Sequence, residues 1–168
     1  MSRLYLLRHA KAVGSAPGMK DFDRPLSNKG AEAARKIGSA MMATGFIPDL
    51  ALCSTAKRTR ETLDNLRLTL TTPFSVVESS ALYTADANGY LDAIHSASNA
   101  SSLLLIGHNP SMGDLALALA ANGQPALLDR LTHGFPTAGL AVIDFDGPLT
   151  LAEAGAGTLR AFITPADI

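Results

Sequence analysis

"LYLLRHAKA", residues 4–12, and "LLLIGHNP", residues 103–110, decide the fold between them, because each is an apolar run that stops at a histidine. The first delivers Arg8 and His9 to its end, and the second delivers His108. Apolar runs without polar alternation read as strands buried on both faces, the signature of a parallel sheet covered by helices. Runs at 50–53, 74–77 and 139–145 read the same way. Between them, "SNKGAEAARKIGSAMMATG" has Ser27 as its cap, apolar residues at helical spacing and Gly45 as its stop. "STAKRTRETLDNLRLTL" and "NPSMGDLALALAANG" carry similar patterns, whereas "SSALYTADANGY" and "GFPTAGL" read as loops. Strands alternating with helices predict an α/β fold: a three-layer α/β/α sandwich with a mainly parallel central sheet. In such folds ligands sit at the C-terminal ends of the strands.

The chain has 168 residues, 47% of them hydrophobic, which suits one domain over residues 1–168 with a sizeable core. Its formal net charge of -1, from 14 basic and 15 acidic residues, argues against a polyanion-binding surface, so no nucleic-acid partner is expected. A single cysteine, Cys53, excludes an internal disulfide framework and a multi-cysteine zinc site, and reads as a small buried hydrophobe. There is no charged leader followed by a long apolar segment, and no stretch approaches the ~20 apolar residues that span a bilayer. The expectation is a soluble, cytoplasmic protein with no membrane partner.

Both strand-end histidines fall on the rim where ligands bind. A third strand end carries "CSTAKRTRET", in which Ser54 is placed to cap the next helix and Arg58 lies in its first turn. Two imidazoles, two guanidiniums and a helix N-terminus on one rim would form a pocket for a dianionic tetrahedral group such as phosphate. Arginine suits that task because its planar fork binds two oxygens at once.

These segments carry a family resemblance. "LYLLRHAKA" resembles the Arg-His-Gly/Ala signature of the histidine phosphatase superfamily, "CSTAKRTRET" its Ser-Pro-x-x-Arg-x-x-x-Thr helix start, and "LLLIGHNP" its second-histidine strand. With "DFDRPLSNKG" and the short length, the chain looks most like the SixA-type phosphohistidine phosphatases, and the match is weakest after about residue 125. The resemblance implies a phosphoglycerate mutase-like fold, His9 as the nucleophile, and Arg8, Arg58 and His108 around the transferring phosphoryl group. It implies no metal and no cofactor, a phosphohistidine-bearing protein domain as substrate, and a place in signal transduction. Attack needs an unprotonated ring nitrogen, so His9 is expected neutral, with its other nitrogen donating; His108 is expected to donate to phosphate as imidazolium. Arg24, in "DRPLS", matches an arginine expected near the pocket; the plainer reading pairs it with Asp21 or Asp23 on the surface.

Two departures from the family pattern stand out. Many relatives carry a glutamate general acid after the third strand, and the alignment of "VVESSALYTAD" puts Ala81 there. An alkoxide leaves poorly without a proton, and positioned acid catalysis contributes about 10²–10⁴-fold. Phosphohistidine leaves as an imidazole that can be protonated beforehand, so Ala81 favours P–N over P–O cleavage. Glu78 and Asp86 are the substitute acids the sequence offers. The second departure, Thr55 for the usual proline, is mild.

The remaining polar residues have plainer readings. His95 belongs on a solvated helix face and His133 in a loop; Lys57, Arg60 and Arg67 form a solvated helix face. Lys11 reads as a surface lysine. Thr137 and Ala138, in the loop before strand 139–145, are candidate pocket-lining residues or turn formers. Three functions are consistent with the sequence: a phosphohistidine phosphatase, a phosphatase for a small phosphoester, and a non-catalytic phosphoprotein-binding module. An intact His9 and His108 argue against the third, since binding alone needs no nucleophile.

Overall fold

The computed structural model describes residues 1–168. Seven strands, β1 (Ser2–Arg8), β2 (Leu50–Ser54), β3 (Ser75–Ser79), β4 (Ser102–Gly107), β5 (Ala120–Gly123), β6 (Leu140–Phe145) and β7 (Gly157–Ile163), form one sheet in the order β3-β2-β4-β1-β6-β7-β5. Neighbours pair in parallel except at β6, which is antiparallel to both β1 and β7. The C-terminal ends of β1, β2 and β4 therefore share a rim, with Arg8 in register with Gly107 and Cys53 with Ile106.

Side chains of a strand alternate between faces. In β1, Leu4 and Leu6 enter one core while Tyr5 and Leu7 enter the other, and all four are buried. Both faces are covered, which is why the run is apolar throughout. Helices α1 (Asn28–Thr44) and α2 (Lys57–Arg67) cover one face through Ala34, Ile37, Met41, Leu63 and Leu66. Four further helices cover the other: α3 (Ala81–Thr84), α4 (Ala87–Ser96), α5 (Ser111–Leu119) and α6 (Pro125–Thr132). The expected three layers are present. No helix is long and apolar enough to cross a membrane.

Helix α1 starts and stops where its signals lie. Ser27 Oγ accepts the Gly30 N–H at 3.0 Å, and Gly45 closes the helix at φ 72°. Gly30 is also required by packing, since a Cβ there would collide with the Lys11 carbonyl.

Several expectations are corrected. The "SSALYTADANGY" loop contains α3 and the start of α4, whose first turn is held by Asp86, its carboxylate accepting the Gly89 N–H at 2.9 Å. Tyr90 and Ile94, four apart, provide the buried stripe of α4. The "LALALAANG" helix ends at Leu119 and passes directly into β5. Strand β7 escaped notice because it alternates buried and open positions and carries Arg160, rather than forming an apolar run. Strand β3 is an edge strand with no buried residue, so its apolar run is half-solvated. Ser54 does not cap α2; Ala56 occupies that position, and Ser54 is buried on the rim.

Candidate active site

His9 follows β1 directly and is 8% exposed. Its Nδ1 lies 2.7 Å from the Ala10 carbonyl, which can only accept. Nδ1 therefore carries the proton, and Nε2 holds the lone pair, which faces Arg58. Burial pushes the ring down to about 4; the Ala10 bond opposes this, and the charges of Arg58, Arg8 and Arg24 reinforce it. The expected neutral imidazole is present, with desolvation as its largest cause. The Ala10 N–H donates to Thr62 Oγ1 at 2.9 Å, and Thr62 Oγ1 donates to the Arg58 carbonyl at 2.6 Å. The threonine of the helix motif thus ties the segment of His9 to the turn that bears Arg58.

Arg58 leaves the first turn of α2 and points its Nε at His9 Nε2, 3.4 Å away, while its Nη2 lies 3.4 Å from His108 Nδ1. A guanidinium can only donate, so His108 Nδ1 is the unprotonated nitrogen and Nε2–H donates to Ser54 Oγ at 2.8 Å. Burial and the Arg58 charge push His108 down to about 3. This corrects the expected imidazolium: His108 is neutral, and it can donate from Nδ1 only once that nitrogen gains a proton. The His108 backbone N–H donates to Tyr90 Oη at 2.8 Å. Gly107 leaves room for that hydroxyl, where any side chain would collide with it.

Arg8, the last residue of β1, donates from Nη1 to the Phe135 carbonyl at 3.0 Å, and Asn109 Nδ2 donates to the same oxygen at 2.9 Å. Its Nε is buried without a partner. Burial and the charge of Arg58 both lower its affinity for a proton. A donor so placed is suited to an anion, because an unpaired buried donor costs about 1–3 kcal/mol.

The segment from Lys11 to Ser27 leaves the rim and returns, closed at its base by the Ala12–Leu26 bridge. The Leu26 N–H donates to Glu61 Oε2 at 2.6 Å, pinning the loop to α2. A 3-10 turn, Asp21–Asp23, is thereby laid over Arg58. Asp21 accepts Arg58 Nη1 at its carbonyl (2.9 Å) and Arg58 Nη2 at Oδ2 (3.1 Å); the Tyr83 hydroxyl donates to the same Oδ2 at 2.6 Å. Arg24 Nη1 donates to Asp21 Oδ1 at 3.2 Å, and Arg24 Nε is buried without a partner. Both readings of Arg24 meet here: it pairs with Asp21, and its charge reaches His9. Three guanidiniums and one carboxylate leave two positive charges at the rim while both imidazoles are neutral, a match for a phosphoryl dianion.

The other candidates lie apart. Glu78 is exposed and pairs with Arg60 at 3.2 Å, while Asp86 accepts the Gly89 N–H as the α4 cap, so the bonds of both are to groups outside the His9 cluster. Ala138 is buried at φ 57°, and its N–H donates to the carbonyls of Arg8 and His9. It holds the strand end in place and turns no polar atom toward a substrate. Thr137 lines a neighbouring groove with Lys11, Lys29 and Lys36. His95 is not solvated as expected, since its Nε2 bonds the Ala152 carbonyl at 2.7 Å; His133 is exposed just after α6. Cys53 is buried, with its thiol pushed up to about 12 by desolvation, and is inert. Sequence reasoning missed Ser54 as the partner of His108, Tyr90 beneath it, and the pair Asp21 and Tyr83. The "DFD" and "LYT" segments carry no local signal that would join them.

The model of the histidine phosphatase superfamily (branch 1) matches residues 4–82. The chain is 32% identical to an uncharacterized protein of Mycobacterium tuberculosis over 162 residues, 95% of this chain and 99% of that one. Among solved structures it is similar to a candidate phosphohistidine phosphatase SixA of Agrobacterium tumefaciens, with 36% identity, a TM-score of 0.84 and 98% coverage of both chains. A structure of the protein histidine phosphatase SixA complexed with tungstate shares the fold, with a TM-score of 0.78 at 23% identity and 98% coverage of both chains.

Proposed function

The chain belongs to the histidine phosphatase superfamily and is a phosphatase, and from that premise we propose that it removes the phosphoryl group from a phosphohistidine side chain of a partner protein by way of phospho-His9. The observation that carries the reading is the His9 ring itself: neutral, its Nδ1 proton fixed on Ala10, and its Nε2 lone pair aimed into a cluster of guanidiniums.

Phosphoryl transfer asks the protein mainly for positioning and charge stabilisation. Arg58, the unpartnered Arg8 Nε and the unpartnered Arg24 Nε supply donors for the three non-bridging oxygens. His9 Nε2 attacks phosphorus, and His108, protonated once the dianion is in place, donates from Nδ1 while Ser54 holds its other nitrogen. Water then hydrolyses phospho-His9. The resemblance puts Ala81, at the start of α3, where the usual carboxylic acid would stand, and Glu78 and Asp86 are bonded elsewhere, to Arg60 and to the Gly89 N–H. A leaving group that departs as neutral imidazole suits a site so built. Binding of a tetrahedral oxyanion, tungstate, by a SixA protein of the same fold is in keeping with this reading.

The test compares phosphate release from a phosphohistidine peptide and from a panel of phosphoesters, with wild type and His9→Ala. The expected result is release from phosphohistidine that His9→Ala abolishes, with an acid-labile phosphoenzyme trapped only in the wild type. Faster turnover of alkyl phosphoesters than of phosphohistidine would reject the substrate assignment.

A further inference from the structure

Asp21 trims the rim to two positive charges, and it does so from beside the reacting centre, ion-paired to Arg58, the guanidinium next to His9. The net charge suits the phosphoryl dianion, but a carboxylate so placed also suits a positive charge on the leaving group. We propose that Asp21 forms a leaving-group subsite: its carboxylate accepts the ring N–H of a protonated phosphohistidine and so selects an imidazolium leaving group over an alcohol. The proposal rests on the phosphohistidine reading above and deepens it.

The geometry leaves room for that bond. Asp21 Oδ2 accepts Tyr83 Oη and Arg58 Nη2, and Oδ1 accepts only Arg24 Nη1. A carboxylate offers about four lone-pair positions, so one remains on Oδ1. The side chain is 52% exposed, open to a ring entering from solvent. The groups facing it are Arg58 from α2, Tyr83 from α3 and Arg24 from its own loop, with Lys57 and Glu61 of α2 flanking the turn at Phe22 and Asp23. The hydroxyl of Tyr83 and the two guanidiniums hold the carboxyl below the usual carboxylate range, so it is ionised wherever the enzyme would work. An aromatic wall stands beside it: Tyr83 meets His108 edge-on at 5.5 Å, and Phe22, exposed, meets Tyr83 edge-on at 5.1 Å. A flat cationic ring packs well against such a wall, and an alkyl alcohol gains little from it.

The proton balance follows. A ring phosphorylated on one nitrogen and protonated on the other is an imidazolium. His9 Nε2 forms the new P–N bond as the old one breaks, and the electron pair of the old bond returns to the substrate nitrogen. The ring departs as neutral imidazole, still holding its proton on the nitrogen that faces Asp21. His9, now phosphorylated on Nε2 and protonated on Nδ1, carries the positive charge that the substrate has lost. No acid is consumed in this step, in keeping with Ala81. An unprotonated phosphohistidine would have to leave as imidazolate, so a carboxylate that favours the protonated ring raises the reactive fraction.

The test is kcat/KM from pH 5.5 to 9 for a phosphohistidine peptide and for p-nitrophenyl phosphate, whose phenolate leaves without a proton, with wild type, Asp21→Asn and Tyr83→Phe. In Asp21→Asn the ratio of the two activities is expected to fall about 10- to 100-fold near neutral pH, as for the loss of a charge-assisted hydrogen bond in the transition state. The alkaline fall of phosphohistidine activity should begin about one pH unit lower than in wild type. Tyr83→Phe should shift both readouts in the same direction by less. An unchanged ratio and pH profile in both variants, or an equal loss on both substrates, would overturn the subsite while wild-type phosphohistidine turnover still upheld the function. Failure of the wild type to cleave phosphohistidine at all would instead overturn the reading on which the subsite rests.

Discussion

Lowering the pH from 7 to 5 should destabilise this protein through two buried histidines, His9 and His108. His9 and His108 lie at about 4 and about 3 in the folded chain and near 6.5 when unfolded. Between those limits the unfolded chain binds more protons than the native one, so stability rises with pH across the window and falls as pH drops from 7 towards 4. At pH 5 both native rings are still neutral, and the size of the effect is set by proton binding to the unfolded chain. Each ring then costs about 2 kcal/mol relative to pH 7, about 4 kcal/mol for the two, a large part of the stability of an ordinary domain. Asp21, Asp144 and Asp167 are held below the usual carboxylate range, so their loss of stability belongs to lower pH. The assay is urea unfolding at pH 7 and pH 5 in buffers free of phosphate, followed by far-UV circular dichroism because the chain has no tryptophan. The midpoint should drop at pH 5 with the denaturant slope unchanged. A His9→Gln, His108→Gln double variant should lose most of the pH dependence. A flat wild-type profile, or a slope that survives in the double variant, would refute both the neutral rings and the burial that makes them neutral.

Tyr90→Phe removes the oxygen that accepts the His108 N–H and donates to the Leu82 carbonyl at 3.1 Å, leaving two buried polar groups unpaired. It should cost about 2–4 kcal/mol in urea unfolding and lower kcat by loosening His108; a loss under about 0.5 kcal/mol with unchanged kcat would show that neither group depends on the hydroxyl. Asp144, on the opposite rim, accepts Arg3 Nε and Nη2 and Arg160 Nε across three strands. Asp144→Asn should cost about 1–3 kcal/mol, since both arginines can regain water, and should leave kcat/KM unchanged; a loss of activity beyond the loss of folded protein would contradict the separation of the two rims.

Amino-acid order alone determined the layers and the rim that bears His9, Arg58 and His108, because those features are written in windows of five to ten residues. Continuous apolar runs require strands covered on both faces, and a histidine placed just after such a run lies where parallel strands present their ends to ligands. Arg58 was legible through the helix that starts three residues beyond β2, and Ala81 through its distance from β3. Only the tertiary structure decided what surrounds that rim. The bond from Arg58 to Asp21 spans 37 positions and that from Tyr83 to Asp21 spans 62, and both depend on a loop closed by Ala12 and Leu26 and pinned to Glu61. No local period encodes such a contact. The protonation states were equally out of reach of sequence: His9 and His108 are neutral chiefly because the fold removes them from water, and burial is a property of the assembled layers rather than of any segment.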